Sequence, residues 1–145
     1  MEPQETKEKE ILEQSKVVAM VGLSPDKEKA SNVVAGYLIA HGYRIIPVNP
    51  GYDEILGEKS YKSLSGIPEK IDIVDIFMRS EKVLPIVEEA IKLKPRAIIV
   101  ADNAIRFADQ MRDFLDAVQG DPKCQSVIVR ASEEKHDGMI VIHRR

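Results

Sequence analysis

Cysteine is almost missing from this chain: Cys124 is the single one in 145 residues. That excludes a disulfide framework and a Cys-rich metal site. No stretch approaches the ~18 consecutive apolar residues that a membrane-spanning helix needs. Neither sign of charge dominates, since 21 Lys and Arg face 24 Asp and Glu for a formal net charge of −3. Such a balance provides no basic field for nucleic acid and no cationic face for a membrane. Internal repeats and low-complexity segments are also absent. The first ten residues, MEPQETKEKE, are polar and acidic, unlike a signal peptide. The expectation is a cytoplasmic protein whose partner is a small molecule, with a homodimer left open. Apolar residues make up 43% of the chain, enough for one domain over residues 1–145 to bury a core.

Four short apolar runs punctuate the first two thirds: Lys16–Val21 (KVVAMV), Tyr43–Val48 (YRIIPV), Ile71–Phe77 (IDIVDIF) and Arg96–Ala101 (RAIIVA). Near-continuous apolar runs of this length are the mark of strands buried on both faces. Helical patterns lie around them. Glu5–Ser15 is a short charged leading helix with Ile11 and Leu12 as its apolar pair. Ser31–His41 carries a stripe of Val33, Val34, Tyr37 and Leu38 and ends at Gly42. Ser80–Lys92 has Ser80 as N-cap, a core face of Val83, Val87, Ala90 and Ile91, and Pro95 as its stop. Asn49–Gly66, rich in Gly, Pro and Ser, reads as an extended surface connection.

Strands alternating with helices mean right-handed crossovers and a parallel sheet covered on both sides. The last third breaks the alternation. A helix over Phe107–Val118 is followed by two strand-like runs, Ser126–Arg130 and Met139–His143. The charged loop between them is too short for a helical crossover, so they form an antiparallel hairpin. The predicted fold is α/β: a Rossmann-like three-layer sandwich, mostly parallel, with a C-terminal antiparallel hairpin. The expected strand order is 3-2-1-4-5, with the last strand inserted beside the fifth.

In such sheets ligands sit beyond the carboxyl ends of the strands, where the strand order reverses. Three loops are candidates. The first runs from Gly22 through Ser24, Lys27 and Lys29 to Ser31 and Asn32. Gly22 allows close backbone approach, and the start of the following helix offers N–H groups and partial positive charge to a phosphate. An ordinary strand-to-helix turn with solvated lysines is the alternative, because the full G-x-G-x-x-G pattern is missing. The second loop is Pro47-Val48-Asn49-Pro50. Enzymes that use NAD place an acid at the end of the second strand; here no acid appears before Asp53, which argues against NAD and S-adenosylmethionine. The third is Phe77-Met78-Arg79-Ser80, where Arg79 suits a phosphate or an adenine face.

These segments carry a resemblance. VGLSP (21–25), GYRIIPVNP (42–50), ILGE (55–58) and VDIFMRS (74–80) resemble the small prokaryotic CoA-binding proteins, stand-alone Rossmann domains similar to the nucleotide-binding domain of succinyl-CoA synthetase. The resemblance covers about residues 11–94. It implies coenzyme A as the ligand and a site lined by Gly22, Ser24, Lys29, Ser31, Val48, Asn49, Phe77 and Arg79. Beyond Pro95 the chain instead resembles the C-terminal part of cation-dependent O-methyltransferases. The segments concerned are VADNA (100–104), DQMRDFL (109–115), SVIV (126–129) and DGMIVIHRR (137–145). That implies a chimera of two Rossmann halves, 1–95 and 96–145, engineered or recombined. Asp102 and Asn103 match metal ligands of that second family, but two oxygen ligands on one loop seldom hold a hard cation, so no metal is expected.

The remaining polar residues form no catalytic set. His41, His136 and His143 are scattered, and His41 reads as a helix C-cap. Asp72 and Asp75 flank a strand, at an edge or a strand end, and Asp75 needs a partner if it points inward. Cys124 falls in a loop after Pro122. The expected function is therefore non-catalytic binding of CoA or a related nucleotide. A folded chain with no ligand is the alternative, and a methyltransferase-like enzyme stands behind both.

Overall fold

A computed structural model describes residues 3–78, 80–101, 124–132 and 137–144. Helix α1 (Pro3–Gln14) leads into strand β1 (Val17–Val21), helix α2 (Ala30–Ala40) and strand β2 (Arg44–Val48). Two short strands, β3 (Glu54–Ile55) and β4 (Glu58–Lys59), and a 3-10 turn at Leu64–Gly66 follow. Then come β5 (Ile73–Ile76), α3 (Ser80–Lys92), β6 (Ala97–Ala101), β7 (Cys124–Ser132) and β8 (Asp137–Arg144). The four buried runs of the sequence are thus the four parallel strands, within a residue or two at each end. The helix expected over Phe107–Val118 lies outside the described residues.

The large sheet has the order β2-β1-β5-β6-β8-β7. Its first four strands are parallel, and β8 runs antiparallel to both β6 and β7. The closing hairpin has the last strand next to β7, as expected. It is longer than the apolar runs suggested, and Cys124 is the first residue of β7 rather than part of a loop. The order of the parallel strands departs from 3-2-1-4-5: β5 pairs directly with β1. The reason lies in the connection after β2. Instead of supplying a strand outside β2, it makes the small β3–β4 ladder. It then touches β2 through one parallel bridge, Tyr61 to Val48.

From the centre of the sheet, β1 to β2 and β5 to β6 step in opposite directions. Crossovers of one hand therefore place α2 and α3 on opposite faces. One core gathers Ala19, Val74, Ile76, Val83, Val87 and Ala90, with Leu64 and Ile67 from the connection. The other gathers Ile11, Val18, Met20, Ala35, Ile45 and Ile73 under α1 and α2. Burying each Val or Ile of this kind contributes roughly 1.5–3 kcal/mol. The connection over 49–66 is therefore no mere surface strap, since Ile55, Ser60 and Leu64 are all buried.

Helix α3 buries the face that its spacing predicts, with Val83, Val87 and Ala90 enclosed. Helix α2 does not. Val33 is 60% and Tyr37 62% exposed, while Ser31, Asn32 and Ala35 are buried. The segment ASNVVAGYLIA is apolar nearly all round, so its periodicity selects no face. Polar contacts at its first turn decide instead. The Ser24 N–H donates to Ser31 Oγ at 3.0 Å, and Asn32 Nδ2 donates to the Ser24 carbonyl at 2.9 Å. His41 is the C-cap, with Nδ1 2.8 Å from the Tyr37 carbonyl, and Gly42 follows at φ +89°, a left-handed conformation that glycine adopts without strain.

Candidate functional site

The strand order reverses between β1 and β5, and a cavity of about 470 Å³ opens at the carboxyl ends of β1, β2 and β5. Val21 and Gly22 reach it from β1, Val48, Asn49 and Pro50 from β2, and Met78 from beyond β5. Lys62, Ser63 and Leu64 close one side, and Ile86 and Glu89 of α3 the other. Its volume lies in the range of ~300–1,000 Å³ typical of ligand pockets.

Gly22 is required here by its backbone. Its φ is +85°, and a Cβ would fall 2.3 Å from the Phe77 carbonyl oxygen and 2.8 Å from Met78 Sδ. The glycine therefore admits the end of β5 against the end of β1, a different close approach from the ligand contact expected of it. Its N–H donates to the Val48 carbonyl at 2.9 Å, which ties β1 to β2 at the cavity mouth.

Asn49 is the hub of the second loop. Its Nδ2 donates to the Leu23 carbonyl at 3.0 Å, and its Oδ1 accepts from the Gly51 N–H at 3.0 Å. Its own N–H meets the Tyr61 carbonyl at 2.9 Å and Ser60 Oγ at 3.2 Å. One side chain thus joins the loops after β1 and β2, and one amide pins the connection that brings Lys62 and Ser63 to the cavity.

Of the residues expected at the site, Gly22, Val48 and Asn49 come together on its lining. Ser24, Lys29 and Ser31 sit in the loop and first turn leading from Gly22 into α2, outside that lining. Ser24 and Ser31 hold the loop to the helix, and Lys29 is the exposed N-cap of α2, with no side-chain cap bond. Phe77 divides itself between faces: its carbonyl lies under Gly22, while its side chain lines a different cavity beneath α2. Arg79, Asp102 and Asn103 lie outside the described residues.

Lys62, Ser63, Leu64, Ile86 and Glu89 had no place in the sequence reading. The first three belong to the connection after β2, whose few apolar residues, Ile55, Leu56 and Leu64 among them, are the sign in the sequence that it packs inward. Glu89 Oε1 accepts from the Ser65 N–H at 2.9 Å, so α3 and the connection are stitched together at the rim.

The two aspartates separate sharply. Asp72 precedes β5, and its Oδ2 accepts from the Lys16 and Val17 N–H groups at 2.9 and 3.0 Å. That is a structural clasp at the amino ends of the strands. Asp75 lies inside β5, between Met20 of β1 and Ile99 of β6 in register, and not at an edge or a strand end as expected. It is buried, and its Oδ1 has no hydrogen-bond partner among the described residues. Burial pushes its carboxyl from the ordinary 3.8 up to about 7. Among the described residues no group of three or more His, Cys, Asp or Glu side chains is placed to hold a metal ion, and no helix is long and apolar enough to cross a membrane.

Known proteins resemble this chain in a consistent way. A family model described as the CoA binding domain matches residues 16–142. "Uncharacterized protein YneT" of Bacillus subtilis (strain 168) is 46% identical over 87 residues, which are 60% of this chain and 64% of that protein. The acetate–CoA ligase [ADP-forming] I of Archaeoglobus fulgidus is 39% identical over 74 residues, 51% of this chain and 11% of the ligase. The chain thus spans less than two thirds of the length of these curated relatives. Among solved structures, a hypothetical protein from Pyrococcus horikoshii OT3 superposes with a TM-score of 0.63 at 42% identity, covering 67% of this chain and 68% of that one. The family match crosses the 95/96 boundary at which an O-methyltransferase-like half was expected to begin, and the comparisons show neither such a segment nor a chimera. A parallel sheet with its cavity at the switch point, and a family match running from β1 into β8, lead to one conclusion: this chain belongs to the CoA binding domain family.

Proposed function

We propose that this chain is a non-catalytic CoA-binding module that takes the nucleotide end of coenzyme A at the cavity between Gly22, Asn49 and Lys62. The observation that carries the reading is the position of that cavity, at the carboxyl ends of β1, β2 and β5 within the family-matched segment. The chemistry of the lining fits. Coenzyme A joins an adenine, anionic phosphates and a largely apolar arm. Val48, Leu64, Met78 and Ile86 offer apolar contact, and Lys62 offers positive charge. Lys27 and Lys29, exposed before α2, add cationic charge where the helix start already favours an anion. Arg79, next in the sequence after Met78, is a further positive charge of the chain. Asn49 acts by holding the loops, since both ends of its amide have protein partners.

The reading is non-catalytic because the polar side chains of the lining supply grip. Glu89 is the one carboxylate among the described lining residues, and it accepts a backbone amide of the rim. Coenzyme A, when bound, would bring the thiol chemistry itself. The kinship with the acetate–CoA ligase covers only 11% of that enzyme, in keeping with a binding part separated from a larger machine.

The test is a thermal-shift titration with coenzyme A, with S-adenosylmethionine plus Mg²⁺ as the parallel arm. At about a hundred times its dissociation constant a ligand stabilises by roughly 2.7 kcal/mol, several degrees in midpoint for a domain of this size. A shift with coenzyme A alone, weakened in Lys62→Ala, is expected. A cooperative melt that coenzyme A leaves unmoved would overturn the reading in favour of a fold without this ligand.

A further inference from the structure

Asp75 presents an unsolved polar group in an otherwise apolar place. Side chains alternate along a strand, so Val74 and Ile76 of β5 enter the core under α3, while Ile73 and Asp75 face α1 and α2. There Asp75 lines a cavity of about 250 Å³. The other walls are apolar: Val18 of β1, Val34 and Leu38 of α2, Phe77, and Ile99 of β6. Tyr43 also lines it, but its hydroxyl already donates to the Leu12 carbonyl at 2.7 Å. Asp75 Oδ1 has no partner among the described residues although the side chain is only 6% exposed. Buried polar atoms are nearly always paired, and each exception calls for a reason.

We propose that this cavity is a second binding site, for a small, largely apolar molecule whose single amine or hydroxyl group donates to Asp75. Size sets the first limit. A cavity of roughly 150 Å³ holds benzene, so 250 Å³ takes a substituted single ring or a short branched chain and excludes a nucleotide. Chemistry sets the second. The free Oδ1 is an acceptor when the carboxyl is ionised, and a neutral carboxyl still accepts at one of its oxygens. A donor on the ligand therefore satisfies Asp75 in either state, whereas a second carboxylate would meet like charge in a low-dielectric wall. Place sets the third. This cavity shares no lining residue with the one at Gly22 and lies on the other face of the sheet, so the proposal stands apart from coenzyme A binding.

The experiment is an NMR titration of the full chain, free of coenzyme A, with benzyl alcohol, benzylamine and toluene as probes. Benzyl alcohol and benzylamine are expected to shift the methyl signals of Val18, Val34 and Ile99. Toluene fills the same space without a donor and is expected to bind about tenfold more weakly, the value of one hydrogen bond. Asp75→Ala should remove that preference, and Val34→Phe, which fills the cavity from α2, should block all three probes while leaving Asp75 in place. Toluene binding as tightly as benzyl alcohol to the unaltered chain overturns the proposal. So does a folded chain whose cavity signals none of the probes moves at millimolar concentration.

Discussion

Two cavities among the described residues teach opposite lessons about how one sheet shapes a pocket. The larger one, at the carboxyl ends of β1, β2 and β5, is made of loops whose backbone groups satisfy one another through Gly22 and Asn49. The smaller one, under α1 and α2, is made mostly of regular elements and contains a buried carboxyl whose Oδ1 has no partner among the described residues. Loops at strand ends can present polar atoms to a ligand because turns pair the rest of their backbone. A strand interior has its backbone committed to the ladder, so polarity there comes from a side chain and is felt as instability.

That contrast can be sharpened by experiment. The largest expected effect is on pH dependence. The folded carboxyl of Asp75 titrates near 7 against an ordinary 3.8, so between those values the folded chain keeps a proton that the unfolded chain releases. Stability from this group is therefore intact below about pH 4 and falls as pH rises to about 7, then levels off. The ceiling is about 4 kcal/mol, from 1.36 kcal/mol per pH unit. The stability difference between Asp75→Asn and the unaltered chain, measured by urea unfolding from pH 4 to 8, should grow in favour of the variant across that window. A difference that is flat with pH would mean that Asp75 is paired after all.

Next comes Gly22→Ala, which strains a φ of +85° and pushes a methyl into the Phe77 carbonyl. A loss of about 3 kcal/mol is expected, with coenzyme A binding lost alongside, because the ends of β1 and β5 separate. Asn49→Ala removes the bonds to Leu23 and Gly51 and should cost about 1–2 kcal/mol. Its mark is a larger effect on the coenzyme A thermal shift than on the small-molecule NMR titration, since the hub lines the larger cavity and not the smaller. The smallest effect is Tyr43→Phe. It removes one hydroxyl bond to Leu12, costing about 1 kcal/mol, and it leaves the Leu12 carbonyl as a second acceptor at the smaller cavity.

Much of the architecture was legible in residue order because burial on both faces writes itself as continuous apolar runs. VVAMV and IVDI are strands for that reason, and the 3.6-residue spacing of Val83, Val87 and Ala90 marks the buried face of α3. That Gly22, Val48 and Asn49 come together on one cavity was legible because a parallel sheet brings the carboxyl ends of its strands together. Lys62 and Glu89 were not, since their place at the rim depends on Tyr61 bridging back to Val48 and on Ser65 reaching Glu89. Nothing in the local pattern encodes contacts between segments so far apart.

By itself, then, the sequence determined the alternation of strand and helix, the closing hairpin and the kinship with CoA-binding domains. Each of these is a matter of local periodicity or motif. Tertiary structure alone decided that β5 lies against β1, that α2 buries Ser31 and Asn32 while Tyr37 stays in solvent, and that Asp75 faces an apolar cavity. The physical reason is common to all three. An apolar segment can bury any of its faces, and only the long-range hydrogen bonds and packing of the assembled sheet choose among them.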